Sequence, residues 1–202
     1  MGKISNRAQQ MPASAIRKLV PFADAAKKEG VKVYHLNLGQ PDIKSPECAL
    51  AAIKNYSAAN ISYSHSGGLM ELRKGLVDKY YRKIGIDINV DELIVTVAGS
   101  ESVNLALEIA CDPGDEVLVL EPFYTNYNTF AFMNKLTLKA IATDIRNGFQ
   151  IPPIEEFEKA ITPKTKAILI CNPGNPTGTQ YSKESMLALG EIARKHDLFL
   201  LS

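Results

Sequence analysis

An α/β fold, with a mostly parallel sheet flanked by helices in three layers, is predicted by three observations on this 202-residue sequence. Short apolar runs suited to buried strands recur at Leu93–Val97, Glu116–Leu120, Leu136–Ala140, Lys166–Ile170 and Leu198–Leu201. Helical segments fill the intervals, clearest over Ser100–Cys111 and Ser182–His196; in the first, Val103, Ala106, Leu107 and Ala110 share a face. No internal repeat, low-complexity tract or linker interrupts the alternation. Apolar strands alternating with helices make a sheet covered on both sides.

The first forty residues read as an arm. A helix is predicted from about Ser14 to Lys28, stopped by Gly30, followed by a short strand at Val33–Leu36 and the segment Asn37-Leu38-Gly39-Gln40-Pro41-Asp42. Ser45-Pro46 then opens another helix, with serine at the cap and proline in the first turn. Leu69, Leu72, Leu76 and Tyr80 mark one face of the helix after that.

Composition narrows the function classes. With 46% hydrophobic and 22% charged residues the chain has the balance of a soluble globular protein. A net charge of +1 supplies no field for nucleic acid or an anionic membrane, so neither is expected as a partner. No apolar stretch has bilayer length, and no secretory signal opens the chain. Cys48, Cys111 and Cys171 lack CxxC pairing, which argues for buried free thiols in a reducing cytoplasm rather than disulfides or zinc. No metal-ligand spacing is present, and no metal is expected.

Four segments carry candidate chemistry. Gly99-Ser100-Glu101 joins a predicted strand to a helix, where glycine allows close backbone approach and free amides face outward. Such a terminus suits a phosphate, though a capped turn without ligand has the same sequence. The Glu101 carboxylate would repel an anion, so only its backbone amide is expected to contribute. Tyr124 follows the second run of the alternating region in Glu121-Pro122-Phe123-Tyr124-Thr125-Asn126-Tyr127, where it can stack on a flat ring or simply pack. Phe123 and Tyr127 are read as packing residues. In Cys171-Asn172-Pro173-Gly174-Asn175-Pro176-Thr177-Gly178, two Asn-Pro steps and two glycines stop a strand at its carboxyl end, where open α/β sheets bind ligands. Asn175 is read as the working amide and Asn172 as a turn residue. Tyr63 lies in a polar, glycine-containing loop that leaves its hydroxyl accessible, and His65 beside it reads as a solvent-exposed loop residue. His35 and His196 form no catalytic constellation.

In this order and spacing the segments resemble the fold-type I pyridoxal-phosphate enzymes, specifically the class I/II aminotransferases such as the aspartate aminotransferases. The resemblance runs from about residue 12 to the last residue. Asn37–Asp42 is similar to the family's glycine motif, which implies Gly39 beside the substrate carboxylate. Tyr63, Gly68, Leu72 and Arg73 match a tyrosine-loop-glycine-leucine-arginine pattern. It implies that Tyr63 reaches the cofactor phosphate of a neighbouring subunit in a homodimer with shared active sites. Gly99, Ser100 and Glu101 match the phosphate turn, Tyr124 the aromatic stacked on the pyridine ring, and Asn175 the asparagine on the ring hydroxyl. Tyr124 and Asn175 also border the substrate. Residues 1–45 then form an arm and small-domain segment, and residues 46–202 the N-terminal part of an incomplete cofactor-binding large domain.

The resemblance implies pyridoxal 5'-phosphate as cofactor and amino acids and 2-oxo acids as substrates, with aspartate the first guess for the donor. Tyrosine rather than tryptophan at the stacking position also fits aromatic or broad-specificity members. The family's Schiff-base lysine, pyridine-nitrogen aspartate and carboxylate-clamping arginine are not matched here, and the resemblance implies that all three follow Ser202. No catalytic residue is therefore assigned within the chain. Lys164, Lys166 and Lys183 stand in the wrong contexts and read as solvated charge. The chain is expected to be the N-terminal half of a protein about twice as long, inactive alone, with Leu93–Val97 lacking its neighbours. A carbon-sulfur lyase of the same fold and a non-catalytic aminotransferase-like sensor are the alternative functions.

Overall fold

The computed structural model describes residues 2–12, 14 and 16–202. Contacts divide the chain into two compact units, residues 1–24 with 102–202, and residues 25–101. In chain order the helices are α1 (Asn6–Gln10), α2 (Val20–Lys28), α3 (Glu47–Lys54), α4 (Met70–Leu76), α5 (Gly99–Ala110), α6 (Asn126–Met133), α7 (Ile154–Ala160) and α8 (Lys183–Lys195). The strands are β1 (Glu116–Glu121), β2 (Thr137–Ala142), β3 (Thr165–Leu169) and β4 (Phe199–Leu201).

The larger unit holds a parallel sheet in the order β2-β1-β3-β4. Period-2 alternation along β1 divides the core in two. Val117 and Val119 join Leu107 of α5 and Tyr127 and Phe130 of α6 on one face. Leu118 and Leu120 join Phe157 of α7 and Leu189 and Ile192 of α8 on the other. Burying both faces makes each strand apolar throughout, which is why these runs stand out in the sequence. Ser182 caps α8, its hydroxyl accepting from the Ser185 amide at 3.1 Å.

The smaller unit departs from expectation in several places. Leu93–Val97 is not a strand. Its amides bond elsewhere, Leu93 to the Val90 carbonyl, Val95 to the Gly67 carbonyl and Val97 to the Glu101 carboxylate, so no ladder exists to hold it. Ile94 and Val97 stand exposed. Val33–Leu36 is likewise irregular; Tyr34 and Leu36 face outward, and no neighbouring strand pairs with the segment among the described residues. The face expected from Leu69, Leu72, Leu76 and Tyr80 does not form, and at Val77–Tyr81 α4 passes into a π-helical turn that shifts the angular register of Tyr80. Arg73 and Val77 are buried instead, while Leu69, Leu72 and Tyr80 are exposed.

Three smaller corrections concern caps and thiols. The helix predicted from Ser14 is α-helical only from Val20, after a 3-10 turn at Arg17–Leu19 whose first amide bonds the Ser14 hydroxyl. Pro46, not Ser45, occupies the cap of α3, because the helix starts one residue later than predicted and uses no side-chain cap. All three cysteines are free, but none is fully buried: Cys48 lies exposed on α3, and Cys111 and Cys171 are partly covered.

Candidate active site

The Asn-Pro loop is built as a closed turn at the carboxyl end of β3. The Gly174 amide donates to the Thr179 carbonyl and the Gly178 amide to the Gly174 carbonyl, both at 2.7 Å. Gly178 reverses the chain at φ +72°. The Asn172 side-chain oxygen accepts from the Tyr181 amide at 3.1 Å, so Asn172 is structural, but it closes the whole loop across nine residues rather than making a local Asx turn. Thr179 is buried, and its hydroxyl anchors the loop to the Gly148 carbonyl at 2.7 Å. A Cβ on Gly174 would lie 2.7 Å from the Thr177 hydroxyl oxygen, so this approach admits only glycine without a shift. Sequence reasoning misses Thr177 and Thr179. The one sign of them is their place two residues apart at the end of a glycine-proline turn.

Asn175 is exposed on this frame, and its side-chain amide has no hydrogen-bond partner among the described residues. It lines a space of about 20 Å³ with Phe123, Tyr127, Cys171, Gly174, Thr177 and Tyr181. That volume holds about one water molecule and no aromatic ring.

A larger cavity of about 530 Å³ opens beside it, lined by the carboxyl ends of β3 and β4, Tyr127, and Ser102, Val103 and Ala106 of α5. Its size falls within the ~300–1,000 Å³ of small-molecule sites. Neither a lysine nor a carboxylate side chain lines it. Ser202 enters the sequence reading only as the residue after which the Schiff-base lysine is expected, yet it lines this cavity as well. The reason is topological: β4 runs parallel to β3, so the residue after Leu201 emerges at the same end of the sheet as Cys171. Ser202 is exposed there and lies outside the strand proper. Lys166 borders a different cavity, at the amino ends of the strands, and Lys164 and Lys183 are exposed, in keeping with solvated charge.

Tyr124 is partly buried after the end of β1. Its ring meets Tyr127 edge-to-face at 5.6 Å, and its hydroxyl accepts from the Asn126 amide nitrogen at 2.7 Å. Tyr127 also stacks on Phe123 at 6.2 Å and is buried in the α5–α6 side of the core. Tyr127 thus links Tyr124 to the cavity lined by Asn175. Burial, and then the Cys171 thiol against its hydroxyl, pushes the Tyr127 phenol up to about 12. The Tyr181 phenol is raised by the same two causes.

The remaining candidates belong to the smaller unit. Gly99, Ser100 and Glu101 form the first turn of α5. The Glu101 carboxylate is turned back to accept from the Val97 amide at 2.6 Å, away from the outward-facing amides. The Glu101 amide, expected to face a ligand, donates to the Ala98 carbonyl at 3.0 Å, while no backbone partner is found for the Gly99 and Ser100 amides among the described residues. Tyr63 is fully exposed and Gly39 has nothing within 4 Å of a built Cβ. The His65 ring nitrogen Nδ1 accepts from the Gly67 amide at 3.0 Å, a turn contact rather than a catalytic one. His196 and Lys195 pair with Glu158 far from the Asn-Pro loop in sequence, tying α8 to α7.

Asn175 after β3 and Tyr124 after β1 stand at the carboxyl ends of adjacent strands, and a cavity of ligand size lies beside the Asn-Pro loop. The sequence matches the family Aminotransferase class I and II over residues 31–202. The chain belongs to the class I and II aminotransferases. Members of this family depend on pyridoxal 5'-phosphate. The aspartate/prephenate aminotransferase of Thermus thermophilus is 34% identical over all of this chain, which covers 52% of that protein. The solved aspartate aminotransferase of Thermotoga maritima shares 31% identity at a TM-score of 0.89, with 98% of this chain and 52% of the other covered. The alanine aminotransferase of Pyrococcus furiosus shares 36% at a TM-score of 0.88, with 98% and 51% covered. The chain spans about half the length of these aminotransferases, and its three-layer sheet is the fold-type I architecture they share.

Proposed function

We propose that the full-length protein carrying this chain is a pyridoxal-phosphate-dependent aminotransferase. It moves an amino group from an amino acid to a 2-oxo acid in a two-step, ping-pong reaction. The observation that carries this reading is family membership across residues 31–202 combined with a free Asn175 amide on the closed turn after β3. Aspartate is the first candidate donor, since several relatives bear that name, although one structural relative is named for alanine.

In this reading the bound cofactor supplies the electron sink. The chain's residues bind and orient it. Asn175 donates its amide hydrogen to the ring hydroxyl oxygen, and the Tyr124 ring stacks on the pyridine. The Gly99 and Ser100 amides hold the phosphate, helped by the helix dipole, while the Val97 amide keeps the Glu101 carboxylate away from it. Tyr63 reaches the phosphate of a neighbouring subunit, so the protein is a homodimer with shared sites. Gly39 lies beside the substrate carboxylate, with Tyr124 and Asn175 bordering the substrate. Residues 1–45 make the arm and small-domain segment and residues 46–202 part of the large domain, in a cytoplasmic enzyme. No helix among the described residues is long and apolar enough to cross a membrane.

In this reading the lysine that moves the proton belongs to the half of the family's length that this chain does not match, and the 202-residue chain alone is expected to be inactive. Borohydride treatment of the piece with cofactor is expected to fix no adduct on a single lysine; a stoichiometric, site-specific adduct would contradict this. For the full-length protein, turnover that requires a 2-oxo acid supports transfer. Ammonia and pyruvate release from cysteine conjugates without a 2-oxo acid would replace it with carbon-sulfur elimination. Ligand binding without either reaction would indicate a sensor.

A further inference from the structure

Arg73 is the most buried charged side chain of the smaller unit, at 5% exposure. A guanidinium brought this far out of water needs partners to offset its lost hydration. Nη2 donates to the Val90 carbonyl and lies 3.4 Å from an Asp91 oxygen, while Nε has no partner among the described residues. Asp91 is largely exposed, so this pair contributes little by itself. Gly67 leaves the guanidinium room: a Cβ there would lie 3.3 Å from Nη1 and 3.5 Å from Cζ, and 3.3 Å from the His65 Nδ1.

The position is informative because of what it joins. Gly67 and Gly68 end the loop that carries Tyr63. The Gly67 carbonyl accepts from the Val95 amide at 3.0 Å. Gly68, at φ +95°, runs so close to Val95 that a Cβ there would sit 2.5 Å from the valine Cβ. From Val95 the chain continues through Val97, whose amide holds the Glu101 carboxylate, into the Gly99–Glu101 turn. One buried cation therefore lies beside the Tyr63 loop at Gly67 and bonds, at Val90, the segment leading into the phosphate turn.

We propose that Arg73 is a positioning residue for phosphate recognition, holding the Tyr63 loop and the Gly99–Glu101 turn in register through Gly67, Val90 and Val95. The inference rests on the reading above, in which Tyr63, Gly99 and Ser100 bind a phosphate. It adds that both phosphate-binding segments, one serving the chain's own site and one a neighbour's, are set by the same side chain. A lysine has one nitrogen head and cannot set a planar group beside Gly67 while bonding the Val90 carbonyl.

The test is the preference of the full-length protein for pyridoxal 5'-phosphate over pyridoxal, measured as a ratio of dissociation constants. Arg73→Lys is expected to lower that preference about tenfold, corresponding to ~1.4 kcal/mol, by weakening phosphate-form binding and leaving pyridoxal affinity unchanged. Should Arg73→Lys not fold, Gly67→Ala, which presses on the guanidinium from the loop side, is expected to lower the preference in the same way. A preference retained in full, or an equal loss of affinity for both compounds, would overturn the positioning role. If the wild-type protein itself shows no preference for the phosphate form, the functional reading fails first and this inference with it.

Discussion

The Tyr181 amide donates to the Asn172 side-chain oxygen at 3.1 Å, so the two ends of the Asn-Pro loop are tied to each other across nine residues. Asn172 spends its side chain on the frame and Asn175 keeps its amide free. The two asparagines should therefore separate cleanly. Asn172→Ala is expected to cost about 1 kcal/mol of unfolding free energy in urea. Asn175→Ala is expected to leave stability within about 0.5 kcal/mol and to weaken cofactor binding about tenfold. Equal stability losses in both variants would contradict the division.

Gly174 lies under Thr177 at a distance no side chain tolerates. Gly174→Ala must displace the Thr177 hydroxyl, which already accepts from the Thr179 amide at 3.2 Å. A loss of about 1–3 kcal/mol is expected from overpacking at this position. Adding Thr177→Ala removes the clashing oxygen, so the double variant should recover part of the loss. Additive losses in the double variant would show that the clash is not the cause.

Tyr127 sets an alkaline limit. Its phenol titrates near 12 when folded against 10.0 in the ordinary case, so the folded state holds the proton more tightly. A raised folded value contributes stability below about pH 10 that is lost as the pH rises towards 12. Cys111 acts in the same direction from 9.0 to about 11, burial being its largest cause. Unfolding free energy should fall through this window, and Tyr127→Phe should flatten the part above pH 10. An unchanged slope in that variant would show that Tyr127 is not a source of the decline.

Glu116 sets the acid counterpart at the opposite end of the sheet. The Thr162 hydroxyl donates to its carboxylate at 2.5 Å, and Lys139 lies 3.6 Å away. These contacts, the Thr162 bond first, hold the carboxyl below its ordinary 4.5 against the opposing effect of burial. The sign is then reversed: stability is present above 4.5 and lost as the pH falls through the lowered folded value. Glu116→Gln should be less stable near pH 7 and show a shallower decline in acid. A parallel acid decline in both proteins would contradict this.

Legibility in the sequence followed how each segment is satisfied. β1, β3 and β4 are apolar runs whose side chains pack against helices, and α5 and α8 show helical periodicity. The Asn-Pro loop is visible as turn chemistry, and the structure puts the Asn172 side chain to work in closing it. Leu93–Val97 has strand composition, but composition cannot supply a neighbouring ladder, and its amides turn to Val90, Gly67 and Glu101. α6 shows no clear apolar stripe because Tyr127, Phe130 and Ala131 are buried in a segment apolar on most sides. Ser202 carries no motif, and only the parallel pairing of β3 with β4 brings it to the cavity. Arg73 is visible only as one letter of a motif. Its burial goes with a bond to the Val90 carbonyl and a place beside Gly67, neither of which periodicity reveals.

The most direct test of the central claim is a single half-reaction. The full-length protein, loaded with pyridoxal 5'-phosphate and mixed with nitrogen-15 aspartate in the absence of any 2-oxo acid, should retain one labelled nitrogen per site on the cofactor. One equivalent of the keto product should be released, and added 2-oxo acid should then carry the label away. Release of labelled ammonia, or no transfer of label to the cofactor from aspartate or any other amino acid, would contradict the account.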